Sequence, residues 1–175
     1  MKLTKRLLAM ALAGVMLLTI LTGCSGGKTG DRLVEEYLAA YYHGIDTYKD
    51  IPITNDVPEI KTVADMFETS ETSWLDENGE WTLSPQKSDD PEYIALQNVF
   101  SKYSSGYTVI LCAFKVDSKQ SELNQAMRVM IGTQFGGLRI YPDYGSNPTA
   151  IQYATRLVTR GDESYRIAVI IFNHT

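Results

Sequence analysis

IQYATRLVTRGDESYRIAVIIF, residues 151–172, is the stretch on which the fold turns. Ile151, Tyr153, Thr155, Leu157 and Thr159 alternate as side chains on one face of a strand do, although Asn147-Pro148 before them and Gly161 after them could also bracket a helix. The turn Arg160-Gly161-Asp162-Glu163 favours the strand. It folds Ile151–Thr159 directly back on the apolar run Tyr165–Phe172, a hairpin that needs no crossover connection.

Working outward, Tyr107–Val116 and Ala126–Phe135 are rich in β-branched and aromatic residues, so the carboxyl half reads as sheet, with Gly136-Gly137 marking a bend between strands. The amino half has a different period. Leu33, Val34, Tyr37, Leu38 and Tyr41 recur at spacings of three and four, which predicts a helix to about Tyr42, capped by Gly30 or Asp31 and ended by Gly44. Pro52, Asn55, Asp56 and Pro58 predict an irregular loop, and Ile60–Glu68 a second helix. Asn78-Gly79 predicts a hairpin displaying Trp74 and Trp81. Pro91-Glu92 opens a third helix with Tyr93, Leu96, Val99, Phe100 and Tyr103 on one side. Helices first and antiparallel strands afterwards define an α+β class, with helices packed on one face of a curved antiparallel sheet.

Arg32–Tyr41 resembles the opening helix of NTF2-like (SnoaL-like) domains, and Arg156-Leu157-Val158 through Tyr165–Val169 resembles their closing hairpin, although Tyr165 stands where that family commonly has Trp. The resemblance covers about a quarter of residues 24–175 and implies a cone whose mouth serves either catalysis or binding. Catalytic members place an Asp, His or Tyr in the cone. No family catalytic motif is present here to carry over.

The amino terminus carries a second resemblance. Lys2, Lys5 and Arg6 precede an apolar run, Leu7–Ile20, and Leu21-Thr22-Gly23-Cys24 follows at once, which resembles a bacterial lipoprotein signal. That resemblance implies cleavage before Cys24 and a diacylglyceryl thioether on its sulfur. The alternative, a retained transmembrane helix, needs ~20 apolar residues, and the run falls short. The expected organisation is a signal over residues 1–23, a small-residue tether over 24–30 and one domain over 31–175.

The chain has sixteen Lys and Arg against twenty-one Asp and Glu, a net charge of −5. Residues 24–175 keep all the acids and lose three of the cations, so their net charge is −8. Such a surface disfavours nucleic acid, and it assigns membrane attachment to the lipid on Cys24 rather than to basic patches. With Cys24 acylated, Cys112 has no intrachain partner, and its apolar surroundings Val109–Phe114 make it a buried hydrophobe rather than a nucleophile.

Nucleophilic catalysis needs a base beside a nucleophile, and the two histidines, His43 and His174, sit in no such signature. His43 is explained by a helix carboxyl terminus. The acidic groups Asp76-Glu77-Glu80 and Asp89-Asp90-Glu92 match no calcium loop, Gly136-Gly137 begins no phosphate loop, and Arg160-Gly161-Asp162 is turn chemistry, so no metal or cofactor is expected. Eleven tyrosines and two tryptophans are the suggestive surplus. Tyr37 and Tyr41 read as core. Trp74, Trp81, Tyr141 and Tyr144 lie near turns and are the candidate binding surface. Three functions fit: a noncatalytic, lipid-anchored extracytoplasmic module binding an envelope protein, peptide or glycan; a small extracytoplasmic enzyme using Asp46, Tyr103 or His43 as acid–base groups; or a structural envelope protein.

Overall fold

The computed structural model describes residues 30–70, 90–103, 105–135, 137–141 and 147–175. Helix α1 is Gly30–His43, β1 is Ile53–Thr54, α2 is Ile60–Thr69 and α3 is Pro91–Val99, followed by a 3-10 turn, Ser101–Tyr103. Then come β2 (Tyr107–Val116), α4 (Glu122–Phe135), β3 (Leu138–Ile140), β4 (Ala150–Arg160) and β5 (Glu163–Asn173). The class is α+β, as the element pattern predicts. The five strands lie in the order β1-β4-β5-β2-β3.

The hairpin is the centre of the sheet. β4 and β5 pair antiparallel from Ala150↔Asn173 to Arg160↔Glu163. Gly161, the first of two loop residues, has φ 62, which a type II′ turn requires and a side chain would resist. The other edge of β5 pairs with β2 from Tyr107↔Asn173 to Val116↔Ser164. β3 continues the antiparallel set, whereas β1 runs parallel to β4. The sheet is therefore mixed.

β5 is apolar almost without interruption because both of its faces are covered. Tyr165, Ile167, Val169 and Ile171 pack with Val63, Phe67, Leu96 and Phe100 of the α2–α3 layer. Ala168 and Ile170 pack with Val34, Leu38, Ala126 and Val129 of the α1–α4 layer. The one-sided helical cover expected from the sequence is thus replaced by helices on both faces.

Residues Ala126–Phe135, predicted as strand, are helix. Val129, Ile131, Thr133 and Phe135 alternate as a strand does, but the buried residues are Gln125, Ala126, Val129 and Thr133, a helical spacing. Ser121 starts the helix, its Oγ accepting from Asn124 N (3.3 Å), and Glu122 in the first turn suits the positive end of the dipole. The other helices follow their signals. Asp90 caps α3 through Glu92 N (2.9 Å) with Pro91 at the first position, and Gly44 N closes α1 on the carbonyls of Ala40 and Tyr41 (both 3.1 Å).

Two devices fix the layers. Arg166, 1% exposed on the central strand, pairs with Asp31 at the start of α1 and donates from Nε to Gln125 Oε1 of α4 (2.9 Å). Beyond the two residues of β1, the edge of β4 is closed by carboxylates. The amides of Thr155, Leu157 and Thr159 donate to Glu35 (3.0 Å), Asp31 (3.0 Å) and Glu68 (3.4 Å) in turn. An open edge would invite another strand, and these groups occupy it.

Candidate functional site

The carboxyl ends of α1 and α4 overhang one end of the sheet, and a pocket of about 360 Å³ lies there. Its size is within the ~300–1,000 Å³ usual for small-ligand sites. Tyr41 and Tyr42 come from the last turn of α1, and Ile45 and Tyr48 from the loop after it. Met130, Thr133 and Gln134 come from α4, Thr108 and Ile110 from β2, and Arg139 from β3. Phe172, His174 and the Asn147-Pro148 approach to β4 complete the wall. The site exists because α1 stops at Gly44 and the chain turns back at once, Tyr48 N bonding Ile45 O (2.8 Å), which places a third tyrosine beside the first two.

The aromatic rings form one cluster. Tyr42 meets Tyr41 edge-on at 5.3 Å and Phe172 edge-on at 6.1 Å, and Tyr48 lies 6.3 Å from Phe172. Such edge-on pairs add to the burial of the rings and hold the wall in shape. Tyr42 is 2% exposed. Its hydroxyl has no hydrogen bond of good geometry among the described residues; its polar neighbour Thr133 directs its own hydroxyl to Val129 O (2.8 Å). Burial pushes the Tyr42 phenol pKa upward, and burial raises that of Tyr41 as well.

The polar groups are on the rim. Gln134 Nε2 donates to Tyr41 Oη (2.8 Å), tying α4 to α1. Arg139 Nη2 donates to the carbonyls of Thr133 (3.1 Å) and Gln134 (3.3 Å) at the end of α4, where a cation is favoured by the helix dipole. The guanidinium is thereby held in a fixed orientation on the pocket wall. His174 Nε2 lies 3.1 Å from Thr108 Oγ1, and its backbone N donates to Gly106 O (2.7 Å). The arrangement can seat a flat or apolar body on the rings and hydrogen-bond a polar end at the rim.

The predicted site residues are dispersed. Cys24, Trp74, Trp81 and Tyr144 lie outside the described residues. Tyr141 is half-buried against the α2–α3 core, and its hydroxyl donates to Gln97 O (3.0 Å), so it is held by the fold. His43 and Asp46 are exposed near the end of α1, while Tyr103 is buried on the opposite face of the sheet. These three are not brought together. Tyr37 is core, as expected, but Tyr41 is half-buried and lines the pocket. Sequence reasoning misses Tyr48, Phe172, Arg139 and His174; the Tyr41, Tyr42, Tyr48 cluster around a helix end is the signal that could have found the wall.

Among the described residues no group of three or more His, Cys, Asp or Glu is placed to hold a metal, and no helix is long and apolar enough to cross a membrane. No known protein family, characterised protein or solved structure matches the chain.

Proposed function

We propose that this chain is a membrane-anchored extracytoplasmic lipoprotein whose domain binds, without chemistry, a small envelope glycan or peptide group in the pocket between α1 and α4. The carrying observation is the pocket: a preformed wall of three tyrosines and Phe172 with hydrogen-bonding groups gathered at its rim. Tyrosine faces stack on sugar rings and apolar side chains alike, and Arg139, Gln134 and His174 supply direction. Tyr41 and Tyr42 themselves are suited to contact rather than to proton transfer. Tyr41 and Tyr42 are displaced upward, away from neutrality, and no carboxylate lines the pocket among the described residues. The anchor follows from Leu21-Thr22-Gly23-Cys24 and its place after an apolar run.

The test is native mass spectrometry of the full chain with soluble cell-wall glycan fragments and short wall peptides as probes. Binding by the wild type, weakened about tenfold or more by Tyr48→Ala and blocked by Met130→Trp, which fills the pocket, supports the assignment. Equal binding by all three proteins, or no binding by any, contradicts it.

A further inference from the structure

α4 is apolar on two faces. Ala126 and Val129 face the sheet and are fully buried. Met127, Ile131 and Phe135 are spaced by four and form a line on the other side, 49%, 58% and 82% exposed. Of the five large apolar side chains exposed among the described residues, three are on this line, so the exposure is concentrated rather than scattered.

Charge narrows what could cover it. Residues 24–175 carry −8, yet α4 itself carries one acid, Glu122 in its first turn, against one cation, Arg128. No acidic residue lies between positions 123 and 139. An apolar line with no acid along its length, in an otherwise acidic domain, suits an anionic lipid surface.

The tether leads to the same place. Gly30, where α1 begins, lies beside the first turn of α4: a Cβ there would sit 3.8 Å from Glu122 Oε1. Cys24 is six residues earlier, a reach of at most ~21 Å when extended. The fourteen residues of α4 span ~21 Å, and the apolar line starts five residues in. A lipid on Cys24 would therefore deliver the start of α4 to the bilayer, and a contact made within one tethered molecule needs little affinity of its own.

We propose that Met127, Ile131 and Phe135 insert into the leaflet that holds the lipid anchor, so that α4 lies along the membrane surface and the pocket opens beside it. The inference rests on the lipid anchor on Cys24, and the experiment separates the two. The full, lipidated chain is reconstituted into vesicles of equimolar phosphatidylglycerol and phosphatidylethanolamine, with a polarity-sensitive fluorophore on Ile131→Cys, Phe135→Cys or, on the opposite side of the sheet, Asp65→Cys. Cys112 is buried and takes no label in the folded protein. Flotation with the vesicles reads the anchor; quenching by nitroxide-bearing lipid reads the apolar line. The expected result is flotation of all three, with quenching of about twofold or more at positions 131 and 135, none at 65, and loss of quenching when Met127→Glu is added. Flotation without quenching overturns the insertion and leaves the anchor standing. A blue shift that grows with protein density but is not quenched by lipid assigns the line to a second copy and overturns it too. Failure to float, with fluorophore found on Cys24, removes the anchor and the insertion with it.

Discussion

Replacing Asp31 by alanine should destabilise the domain far more than replacing Arg166 by methionine. The guanidinium is 1% exposed, and Asp31, whose side chain is 37% exposed, is its charged partner. Removing one member of a buried pair leaves the other uncompensated, typically at a cost of about 3–5 kcal/mol. Partial exposure of Asp31 lets water reach the vacated position, which puts Asp31→Ala at the lower end, about 3 kcal/mol including the bond from Leu157 N. Arg166→Met removes the charge itself and fills the same volume. Asp31 can then be solvated, and the main loss is the donor to Gln125 Oε1, about 1 kcal/mol. The double variant should lie within about 1 kcal/mol of Arg166→Met alone, because the stranded cation is gone. The assay is urea unfolding of the full chain in mild detergent, comparing midpoints at equal slope. An Arg166→Met variant as unstable as Asp31→Ala, or strictly additive losses in the double variant, would exclude a stranded buried cation as the source of the loss.

Burial raises the Glu35 pKa above its ordinary 4.5 despite the bond from Thr155 N, so the folded state holds that proton more tightly than the unfolded chain and loses stability as pH rises through this range. Glu35→Gln keeps the acceptor without the charge; its melting temperature should exceed that of the wild type at about pH 7, with the gain vanishing at about pH 4. An alanine Cβ at position 132 would meet Cys112 Sγ at 2.9 Å, so Gly132→Ala should cost up to about 2 kcal/mol by overpacking, net of its better helix propensity. In a Cys112→Ala background the same change should stabilise by about 1 kcal/mol, and equal effects in both backgrounds on denaturant midpoints would exclude the contact. The Cys112 thiol, pushed up to about 12 by burial, should resist alkylation in the folded protein and react only on unfolding, which mass spectrometry after a timed pulse reads directly.

The hairpin was legible because its turn, its alternation and its apolar run agree, and α1 and α3 were legible from spacing and from their end residues Gly44 and Pro91, whereas α2, whose N-cap Glu59 makes no side-chain capping bond, offered no such end signal. α4 was not legible, and the reason is physical. Met127, Ile131 and Phe135 add an apolar line to the face that points outward, so the helix lacks the polar side that marks amphipathicity, and its β-branched residues imitate a strand. The apolar run of β5, interrupted only by Arg166 between Tyr165 and Phe172, held the information that both faces are covered, but a one-sided layer of helices leaves it unused. The pocket was less accessible still. Arg139 reaches it from β3 and His174 from just beyond the end of β5, and Tyr41 has the spacing of a core residue until the turn at Gly44 brings Tyr48 and Phe172 against its neighbour Tyr42. Arg166 meets Asp31 across 135 residues of chain, a pairing no local pattern announces.

The proposed membrane anchor underlies both the proposed site of ligand binding and the proposed docking of α4, and its most direct test is the intact mass of the full-length chain expressed in a bacterium and extracted from the membrane fraction. The expected result is a species of residues 24–175 carrying a diacylglyceryl group on Cys24, lost in Cys24→Ala. A chain that still begins at Met1, or one cleaved there with an unmodified thiol, would contradict it.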